Sequence, residues 1–497
     1  MQIEPAADAF AERYRRGEAQ VVWTRLVADL ETPVSAFLKL ASGRPMSFLL
    51  ESVEGGAVRG RYSIIGLDPD LIWRLRDGHG EINRDARNRP DAFVACDEAP
   101  LDAIRALVAE SRIALPDSLP PPAAGIFGYL GYDMVRLMED LREPNPDAIG
   151  IPDAVLIRPR LVVVFDAVED SITVVTPVWP DPDVPAGVAF NFAVERVTAL
   201  VDSLDTLILS SADGDPGPLS VPPTSNTSPS EYAAMVLRAK DYIAAGDVFQ
   251  VVLSQRFEAP FGLPPFSFYR ALRRVNPAPF LYYLDFGTYA VAGSSPEILV
   301  RVRDGVVTVR PLAGTRPRGA TPHEDKALEE ELLADPKERA EHLMLIDLGR
   351  NDVGRVSEPG SVRVPDRFVV ERYSHVMHIV SEVQGTLRAG LGFADVLKAT
   401  FPAGTVSGAP KIRALEVIRE LEPVRRGIYS GAVGYVGWWG DIDTAIAIRT
   451  AVIQDGRLHV QAGAGIVHDS DPQAEWEETM NKGRALFRAV AQAAGGL

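Results

Sequence analysis

The sequence contains a single cysteine, Cys96, among its 497 residues. One thiol cannot form a disulfide within the chain, and it excludes a metal site built from several thiolates. No recognisable motif surrounds Cys96, so we interpret it as an ordinary packing residue. Because chains without disulfides are typical of reducing compartments, we expect a cytoplasmic protein.

Positive charge is also scarce. Lysine and arginine number 51 against 68 aspartates and glutamates, which gives a net charge of −17. This balance argues against partners such as nucleic acid and anionic membrane surfaces, because both require a basic face. An acidic chain that handles an anionic substrate must therefore place its cations, or a metal ion, locally.

Long apolar runs are missing as well. No run approaches the ~18 residues of a membrane-spanning helix. The first fourteen residues carry three acids and no basic segment ahead of an apolar one, so they predict no signal peptide. Apolar residues still make up 46% of the chain, which is enough for a large buried core.

One segment divides the chain by composition. Residues 210–230 are rich in Pro, Gly, Ser and Asp and predict a linker or long surface loop. This suggests an N-terminal part over residues 1–210, a linker over 211–230 and a C-terminal part over 231–497. Strand-like runs occur at residues 46–50, 154–157, 161–165, 171–175, 248–254, 299–302 and 306–309.

Local signals mark two hairpins and two helix starts. Asp304-Gly305 and Asp455-Gly456 join apolar runs directly, which predicts antiparallel pairing. Asp335-Pro336 and Asp471-Pro472 each place a capping aspartate before a proline at the first helical position. These predict helices over residues 336–348 and 472–491.

Each of these two helices carries a pair of glutamates, Glu338 with Glu341 and Glu475 with Glu478. A spacing of three places each pair on one helix face. Two such faces opposite each other could supply oxygen ligands to Mg²⁺. The pairs could equally form a solvated surface near the positive helix N-termini, and the spacing alone does not decide.

Glycine-rich and histidine-containing segments are ambiguous when taken singly. Residues 404–411, Gly-Thr-Val-Ser-Gly-Ala-Pro-Lys, lack the spacing of a nucleotide phosphate loop. His375 and His378 lie three residues apart, and a histidine pair of this kind is more often structural than catalytic. The sequence has no nucleophile-elbow and no dinucleotide-binding motif.

Four segments together are more specific than any one alone. They cover residues 311–319 (PLAGTRPRG), 341–352 (EHLMLIDLGRND), 401–411 (FPAGTVSGAPK), and 463–467 with 478–482 (GAGIV and ETMNK). Their order resembles that in chorismate-utilising enzymes, and most of all in the large subunits (component I) of anthranilate synthases. The resemblance implies an α/β fold of the α+β type, with mostly antiparallel sheets in a sandwich flanked by helices.

The resemblance also assigns the candidate catalytic residues. Glu341 and Glu478 resemble Mg²⁺ ligands, with Glu338 and Glu475 beside them, so the interpretation as a metal site is favoured over a solvated surface. Glu297 resembles the general acid that protonates the leaving C4 hydroxyl of chorismate, which requires a raised pKa. His378 and Thr405 resemble residues close to the ring. The substrate contacts implied are Gln250, Gly314, Thr315, Tyr429, Arg449, Gly463, Ala464 and Gly465, with Arg449 and Tyr429 on the enolpyruvyl carboxylate.

The reaction implied is the lyase step that commits chorismate to tryptophan biosynthesis. Ammonia adds at C2 as the C4 hydroxyl leaves, and pyruvate is then eliminated to give anthranilate. Cys96 lacks the setting of a glutaminase nucleophile, so a separate glutamine amidotransferase subunit and a hetero-oligomer are expected. The N-terminal part is then regulatory, with residues 49–52 and 61–63 belonging to a site for feedback inhibition by L-tryptophan. The inhibitor contacts implied are Glu51, Ser52, Pro279, Phe280, Leu281 and Val433.

Two other members of the family remain as alternatives. Aminodeoxychorismate synthases typically carry a lysine where this chain has Ala313, and that lysine can form a covalent intermediate. Isochorismate and salicylate synthases use a lysine base near the position of Gln250. A non-catalytic tryptophan-binding module would not need the helix glutamates or Glu297. Ala313 and Gln250 thus favour the anthranilate synthases.

Overall fold

The computed structural model describes residues 1–54, 58–208, 222–373 and 376–495. Within these ranges the chain forms eleven helices and twenty-three strands. The helices are α1 (Ala7–Arg15), α2 (Pro33–Ala41), α3 (Pro100–Glu110), α4 (Ala186–Leu204), α5 (Pro229–Ala244), α6 (Pro265–Val275), α7 (Pro322–Ala334), α8 (Pro336–Gly354), α9 (Phe393–Thr400), α10 (Lys411–Leu421) and α11 (Pro472–Ala494). The strands of the first half are β1 (Gln20–Val27), β2 (Ser47–Glu54), β3 (Val58–Arg76), β4 (His79–Asn83), β5 (Val94–Ala95), β6 (Gly125–Leu130), β7 (Ala154–Asp166) and β8 (Ser171–Val178). Those of the second half are β9 (Thr224–Ser225), β10 (Gln250–Pro260), β11 (Phe280–Asp285), β12 (Tyr289–Ser295), β13 (Ile298–Arg303), β14 (Val306–Val309), β15 (Leu312–Pro317), β16 (Val369–Arg372), β17 (Val376–Val380), β18 (Val383–Thr386), β19 (Gly408–Ala409), β20 (Ala432–Gly437), β21 (Ile442–Ile446), β22 (Thr450–Gln454) and β23 (Arg457–Ile466).

Twenty strands form one antiparallel sheet with two arms that meet at β7. The first arm runs β1-β8-β7-β3-β2-β11-β12-β22-β23-β10. The second runs β7-β6-β20-β21-β13-β14-β18. Each arm begins with strands from before the predicted linker and continues with strands from after it, and the two sets join where β2 pairs with β11 and where β6 pairs with β20. A small second sheet has the order β15-β17-β16.

The core lies in layers between and around the two arms. Rings from both arms fill the space between them, and Phe48 stacks on Phe127 at a centroid distance of 4.5 Å. Helices α2, α4, α6 and α11 cover the outer face of the first arm, and α3, α8 and α9 cover that of the second. Helices α5 and α10 pack against β10 at the end of the first arm. This arrangement confirms the predicted sandwich of antiparallel sheets flanked by helices.

The local signals in the sequence mark real boundaries. The Asp335 carboxylate accepts hydrogen bonds from the first turn of α8, and the Asp471 carboxylate does so for α11. Asp304-Gly305 and Asp455-Gly456 have positive φ at both residues, as the tight turns of two-residue hairpins require. Helix α8 continues to Gly354, beyond the predicted end at residue 348, because buried Val353 extends its apolar face.

The structure differs from the sequence predictions at two predicted strands and in part of the predicted linker. Residues 154–157 and 161–165 belong to the single strand β7, because a bulge in β3 accommodates Pro159 and pairing resumes beyond it. Residues 211–221 of the predicted linker lie outside the described residues, as does His375. From residue 222 onward the predicted linker contains regular structure, since β9 pairs with β10 and Ser228 caps α5. In the described ranges no helix is both long and apolar enough to cross a membrane.

Candidate active site

Two neighbouring strands, β10 and β23, form one wall of the candidate site. Gly465 lies against Gln250, and a Cβ at Gly465 would come within 2.5 Å of the Gln250 amide nitrogen. A Cβ at Gly463 would lie 2.8 Å from the Tyr429 hydroxyl. Glycine is therefore required for this close approach. Ala464 alternates to the opposite face and is buried in the core, so only its backbone can face the site.

The four glutamates of α8 and α11 come close enough to influence one another. Glu341 accepts a hydrogen bond from Nε2 of Gln250 at 3.1 Å. Burial raises the pKa of Glu341, and the negative charges of Glu338 and Glu478 raise it further. Burial also raises the pKa of Glu475, with Glu478 contributing. The structure thus gathers a group of carboxylates that repel one another.

Two cations partly balance this carboxylate group. Arg316 pairs with Glu338 at 3.2 Å, and Lys482 pairs with Glu478 at 2.7 Å. In the parts of the chain that the structure describes, no three His, Cys, Asp or Glu side chains converge closely enough to hold a metal together. Sequence reasoning did not assign a role to Lys482, although its place four residues after Glu478 on α11 was the available signal. Lys482 also donates to the Gly463 carbonyl oxygen.

Glu297 occupies the connection between β12 and β13 and is 5% exposed. Burial raises its pKa to about 8, although Thr405 and the backbone N–H of Leu312 lower it slightly. The raised pKa is the property that a general acid needs near neutral pH. Thr405, in the turn Gly404–Val406, lines the same cavity of about 40 Å³ as Glu297.

His378 lies on β17 opposite Thr315 of β15. Its Nδ1 is 3.0 Å from both the Gly314 carbonyl oxygen and the Thr315 hydroxyl. Since a carbonyl can only accept, we assign the proton to Nδ1, which leaves the lone pair on Nε2. Burial lowers the pKa of His378 to about 4, so the ring is neutral at pH 7. Gly314 has φ of +67° and lies beside the Glu338 carboxylate. Because His378 bonds the Gly314 carbonyl oxygen, Gly314 lies between His378 and the glutamates of α8.

Arg449 combines two unfavourable features at one position. Its backbone has φ of +51°, which costs an arginine roughly 1 kcal/mol. Its guanidinium is desolvated, which lowers the arginine pKa, and no carboxylate of the described chain lies within 4 Å of it. Burial raises the pKa of neighbouring Tyr429 to about 12. A desolvated, unpaired guanidinium beside a phenol is suited to binding a carboxylate.

A buried ion pair that sequence reasoning missed supports this wall. Arg426 and Glu422 are almost completely buried and pair at 2.6 Å. Arg426 lies 5.5 Å from the Tyr429 ring centroid and donates to the Val406 carbonyl, next to Thr405. Glu422 also accepts from the backbone N–H of Ser254 on β10. The spacing of four between Glu422 and Arg426 could have predicted the ion pair. Only the fold shows that the pair binds backbone groups of β10 and of the turn that carries Thr405.

The predicted inhibitor residues lie elsewhere, on both faces of the sheet near β2 and β11. Glu51 is opposite Leu281, and Ser52 is opposite Phe280. The Glu51 carboxylate is already bound by Arg273 at 2.8 and 2.9 Å and by the Tyr269 hydroxyl. Strand alternation places Glu51 and Leu281 toward α6. Phe280 and Val433 lie on the face between the two arms, and Pro279 directly precedes β11.

Comparison with known proteins decides the family. A sequence profile described as "chorismate binding enzyme" matches residues 71–488. The chain belongs to the family of chorismate-binding enzymes. This confirms the resemblance seen in the four sequence motifs.

The relatives of this chorismate-binding enzyme share one description. Anthranilate synthase component 1 of Cereibacter sphaeroides is 54% identical, over 98% of this chain and 97% of its own length. The protein of the same name from Aquifex aeolicus is 49% identical over 94% of both. The crystal structure of anthranilate synthase component I from Streptococcus pneumoniae aligns with a TM-score of 0.76 and 39% identity, covering 94% of this chain and 99% of that one. The menaquinone-specific isochorismate synthase of Escherichia coli, at 20% identity and a TM-score of 0.70 over 98% of this chain and 99% of its own, shows the shared fold alone.

Proposed function

We propose that this enzyme is the large subunit of an anthranilate synthase, a lyase that converts chorismate and ammonia into anthranilate, pyruvate and water. The observation that carries the choice within the family is Gln250. Its amide donates to Glu341 and cannot take a proton from water. Ammonia needs no such base, so the site suits an amine nucleophile better than water. The names of the relatives at about 50% identity point the same way.

Chorismate is a dianion, and the site offers separate groups for its two carboxylates. Arg449 can bind the enolpyruvyl carboxylate with its planar fork, assisted by the Tyr429 hydroxyl and by backbone N–H groups of residues 463–465. The unpaired state of Arg449 favours this, because no carboxylate of the described chain has to be displaced first. Ala464 can contribute through its backbone only.

The carboxylates of α8 and α11 fit a magnesium ion by their chemistry. Glu341 is desolvated and repelled by Glu338 and Glu478, and a divalent cation would remove that repulsion. We propose Glu341 and Glu478 as its ligands, with Glu338 and Glu475 beside them. When bound, Mg²⁺ would hold the ring carboxylate of chorismate and offset its charge. Lys482 and Arg316 would then be free to shift toward the substrate or solvent.

In the first step the C2–N bond forms as the C4–O bond breaks. Neutral Glu297 donates its proton to the departing hydroxyl, which leaves as water. In the second step the proton on C2 is lost, the bond to the enolpyruvyl oxygen breaks, and pyruvate leaves as the ring becomes aromatic. His378, neutral with its lone pair on Nε2, can accept a hydrogen bond at that nitrogen without adding charge to the site. Thr405 would position the Glu297 carboxyl.

Two further proposals concern the partner and the location. A glutamine amidotransferase subunit would supply ammonia, in agreement with the designation of the relatives as component 1. The enzyme would then act as a hetero-oligomer in the cytoplasm, where amino acids are made.

We also propose feedback inhibition by L-tryptophan at the region of β2 and β11. Because the Glu51 carboxylate points toward α6 and is already bound by Arg273 and Tyr269, the ligand ammonium would use backbone carbonyl oxygens on the other face of the sheet. The indole would contact the face that carries Phe280 and Val433. Calorimetry with L-tryptophan on the wild type and on Ser52→Phe tests this. Binding lost in the variant supports the proposal, and a wild type that binds no tryptophan contradicts it.

The direct test of the function is product identification. Purified enzyme with chorismate, Mg²⁺ and an ammonium salt at high pH should yield anthranilate, detected by its fluorescence and mass. Accumulation of 4-amino-4-deoxychorismate or isochorismate without anthranilate would contradict the proposal. Glutamine should replace ammonia only when the partner subunit is added.

A further inference from the structure

A cavity of about 530 Å³ lies in the N-terminal half, between the loop after β4, the end of β8 and helix α4. Five arginines line it, although the chain as a whole carries a net charge of −17. None of them belongs to the candidate active site or to the region of Glu51. The five are Arg84, Arg87, Arg158, Arg160 and Arg196.

Two of these arginines have carboxylates of their own. Arg158 pairs with Asp70 through two hydrogen bonds of 2.9 and 2.8 Å. Arg84 pairs with Glu110 at 2.7 Å. Their charges are neutralised within the chain, so they form the frame of the cavity and not its binding groups.

The other three share one carboxylate among the described residues. Asp68 lies 3.5 Å from Arg160 and 4.0 Å from Arg87. The Nε of Arg196 donates to the Thr176 hydroxyl, and no described carboxylate lies within 4 Å of Arg196. Three guanidinium groups against one carboxylate leave two positive charges unbalanced at the cavity.

The other acids at the cavity lower this excess by at most one charge, that of Asp181, and do not remove it. Asp85 is paired with Arg89 at 2.8 Å, and Asp181 is exposed, with no arginine within 4 Å among the described residues. Burial and mutual repulsion lower the pKa of Arg196 to about 10, and burial also lowers that of Arg160. Holding these two partly buried cations close together is unfavourable unless an anion joins them.

We propose that this cavity binds a compact dianion with several oxygen acceptors, namely a phosphate group or a pair of carboxylates, through Arg160 and Arg196. Planar guanidinium groups favour such oxyanions because each can donate two parallel hydrogen bonds. Trp179 and Pro180 line the same cavity and offer an apolar wall for the body of a ligand. The proposal is independent of the chorismate chemistry, because binding can be measured without turnover.

Calorimetry at low ionic strength tests this, with inorganic phosphate and malonate as separate probes. Arg196→Gln and Arg160→Gln should each weaken binding by about tenfold or more, as expected for loss of charge-assisted hydrogen bonds. Arg15→Gln, at an exposed position on α1, removes the same charge elsewhere and should leave the affinity within about twofold. The probe that binds more tightly identifies the ligand as phosphate-like or dicarboxylate-like.

Asp68→Asn provides a test with the opposite sign. Removing the shared carboxylate should tighten anion binding, and asparagine tolerates the left-handed backbone at position 68. Tighter binding supports the proposal even if Arg196→Gln does not fold, while unchanged or weaker binding in Asp68→Asn contradicts it. The proposal is also overturned if neither probe binds the wild type, or if Arg15→Gln weakens binding as much as Arg196→Gln.

Discussion

Glu51 lies on a strand of the large sheet and Glu297 in a connection between two of its strands; both are buried carboxyl groups, but their surroundings differ. The Glu51 carboxylate is bound by Arg273 and Tyr269. Glu297 has no lysine or arginine partner among the described residues, and burial keeps it protonated up to about pH 8. At the same site the Arg449 guanidinium also lacks a carboxylate partner in the described chain.

This difference separates charge that serves stability from charge that serves function. A buried ion pair satisfied within the chain fixes neighbouring elements, here β2 and α6. Buried groups left without partners destabilise the fold, so their presence indicates a ligand or a reaction that uses them. By this criterion the region around Glu297 and Arg449 is prepared for a charged substrate. The charge of Glu51 is already balanced by Arg273, so a ligand that binds this carboxylate must compete with Arg273.

The largest expected effect is that of Glu297→Gln. The amide keeps the size of the side chain but cannot donate an acidic proton, so kcat should fall by roughly 10²–10⁴-fold. The matched control is Glu330→Gln, an exposed acid on α7 that should leave kcat unchanged. Anthranilate formation with saturating ammonia measures both. Near-normal turnover in Glu297→Gln would show that Glu297, like Glu51, is not a catalytic carboxyl group.

Arg449→Lys should have the next largest effect. Lysine keeps the charge but loses the planar fork and tolerates the left-handed backbone no better, so kcat/KM should fall by about 10–100-fold. The loss should appear mainly as a higher KM for chorismate. An Arg449→Lys variant with wild-type KM would show that this guanidinium does not bind substrate carboxylate.

The pH dependence of kcat should follow the ionisation of Glu297. Its pKa is raised to about 8, so the protonated form that donates is present below that pH and lost above it. At a constant concentration of free NH₃, kcat should therefore decrease above pH 8, by up to about tenfold per pH unit. Ammonia-dependent turnover in a series of buffers tests this. A kcat that rises steadily from pH 7 to 9.5 would contradict the assigned role.

Glu51→Gln should have the smallest effect on turnover and a clear one on stability. Leaving Arg273 half-buried without its carboxylate should lower the free energy of unfolding by about 3 kcal/mol, while kcat changes by less than about twofold. Urea unfolding and ammonia-dependent turnover give the two numbers. A large loss of kcat in a stable Glu51→Gln protein would place this carboxyl among the functional groups after all.

The sequence predicted what local chemistry determines. The caps at Asp335 and Asp471 and the two Asp-Gly turns needed only neighbouring residues, and they were confirmed. The pairing of strands from the two halves, β2 with β11 and β6 with β20, and the continuity of β7 past Pro159 depend on long-range contacts, so local patterns could not show them. Gln250 and Glu341 do meet in the folded chain, but the metal that Glu341 would hold with Glu478 remains a prediction.

The sequence was least able to predict which charged side chain pairs with which group in the folded chain. Glu51 and Arg273 are far apart in sequence, and only the packing of α6 against the first arm of the sheet brings them together. Tertiary packing likewise brings Lys482 to the Gly463 carbonyl oxygen and Arg426 to the Val406 carbonyl oxygen. A motif identifies a residue type at a position, whereas its charge state depends on neighbours that the fold supplies.

The most direct test of this account is the equilibrium binding of Mg²⁺ to the enzyme with chorismate present and ammonia absent, so that no turnover occurs. Calorimetry on the wild type should show one Mg²⁺ per chain. Glu341→Gln should weaken that binding by at least about tenfold, with Glu330→Gln unchanged. Equal Mg²⁺ affinity in all three proteins would contradict the claim that the fold gathers the carboxylates of α8 and α11 to bind a cation.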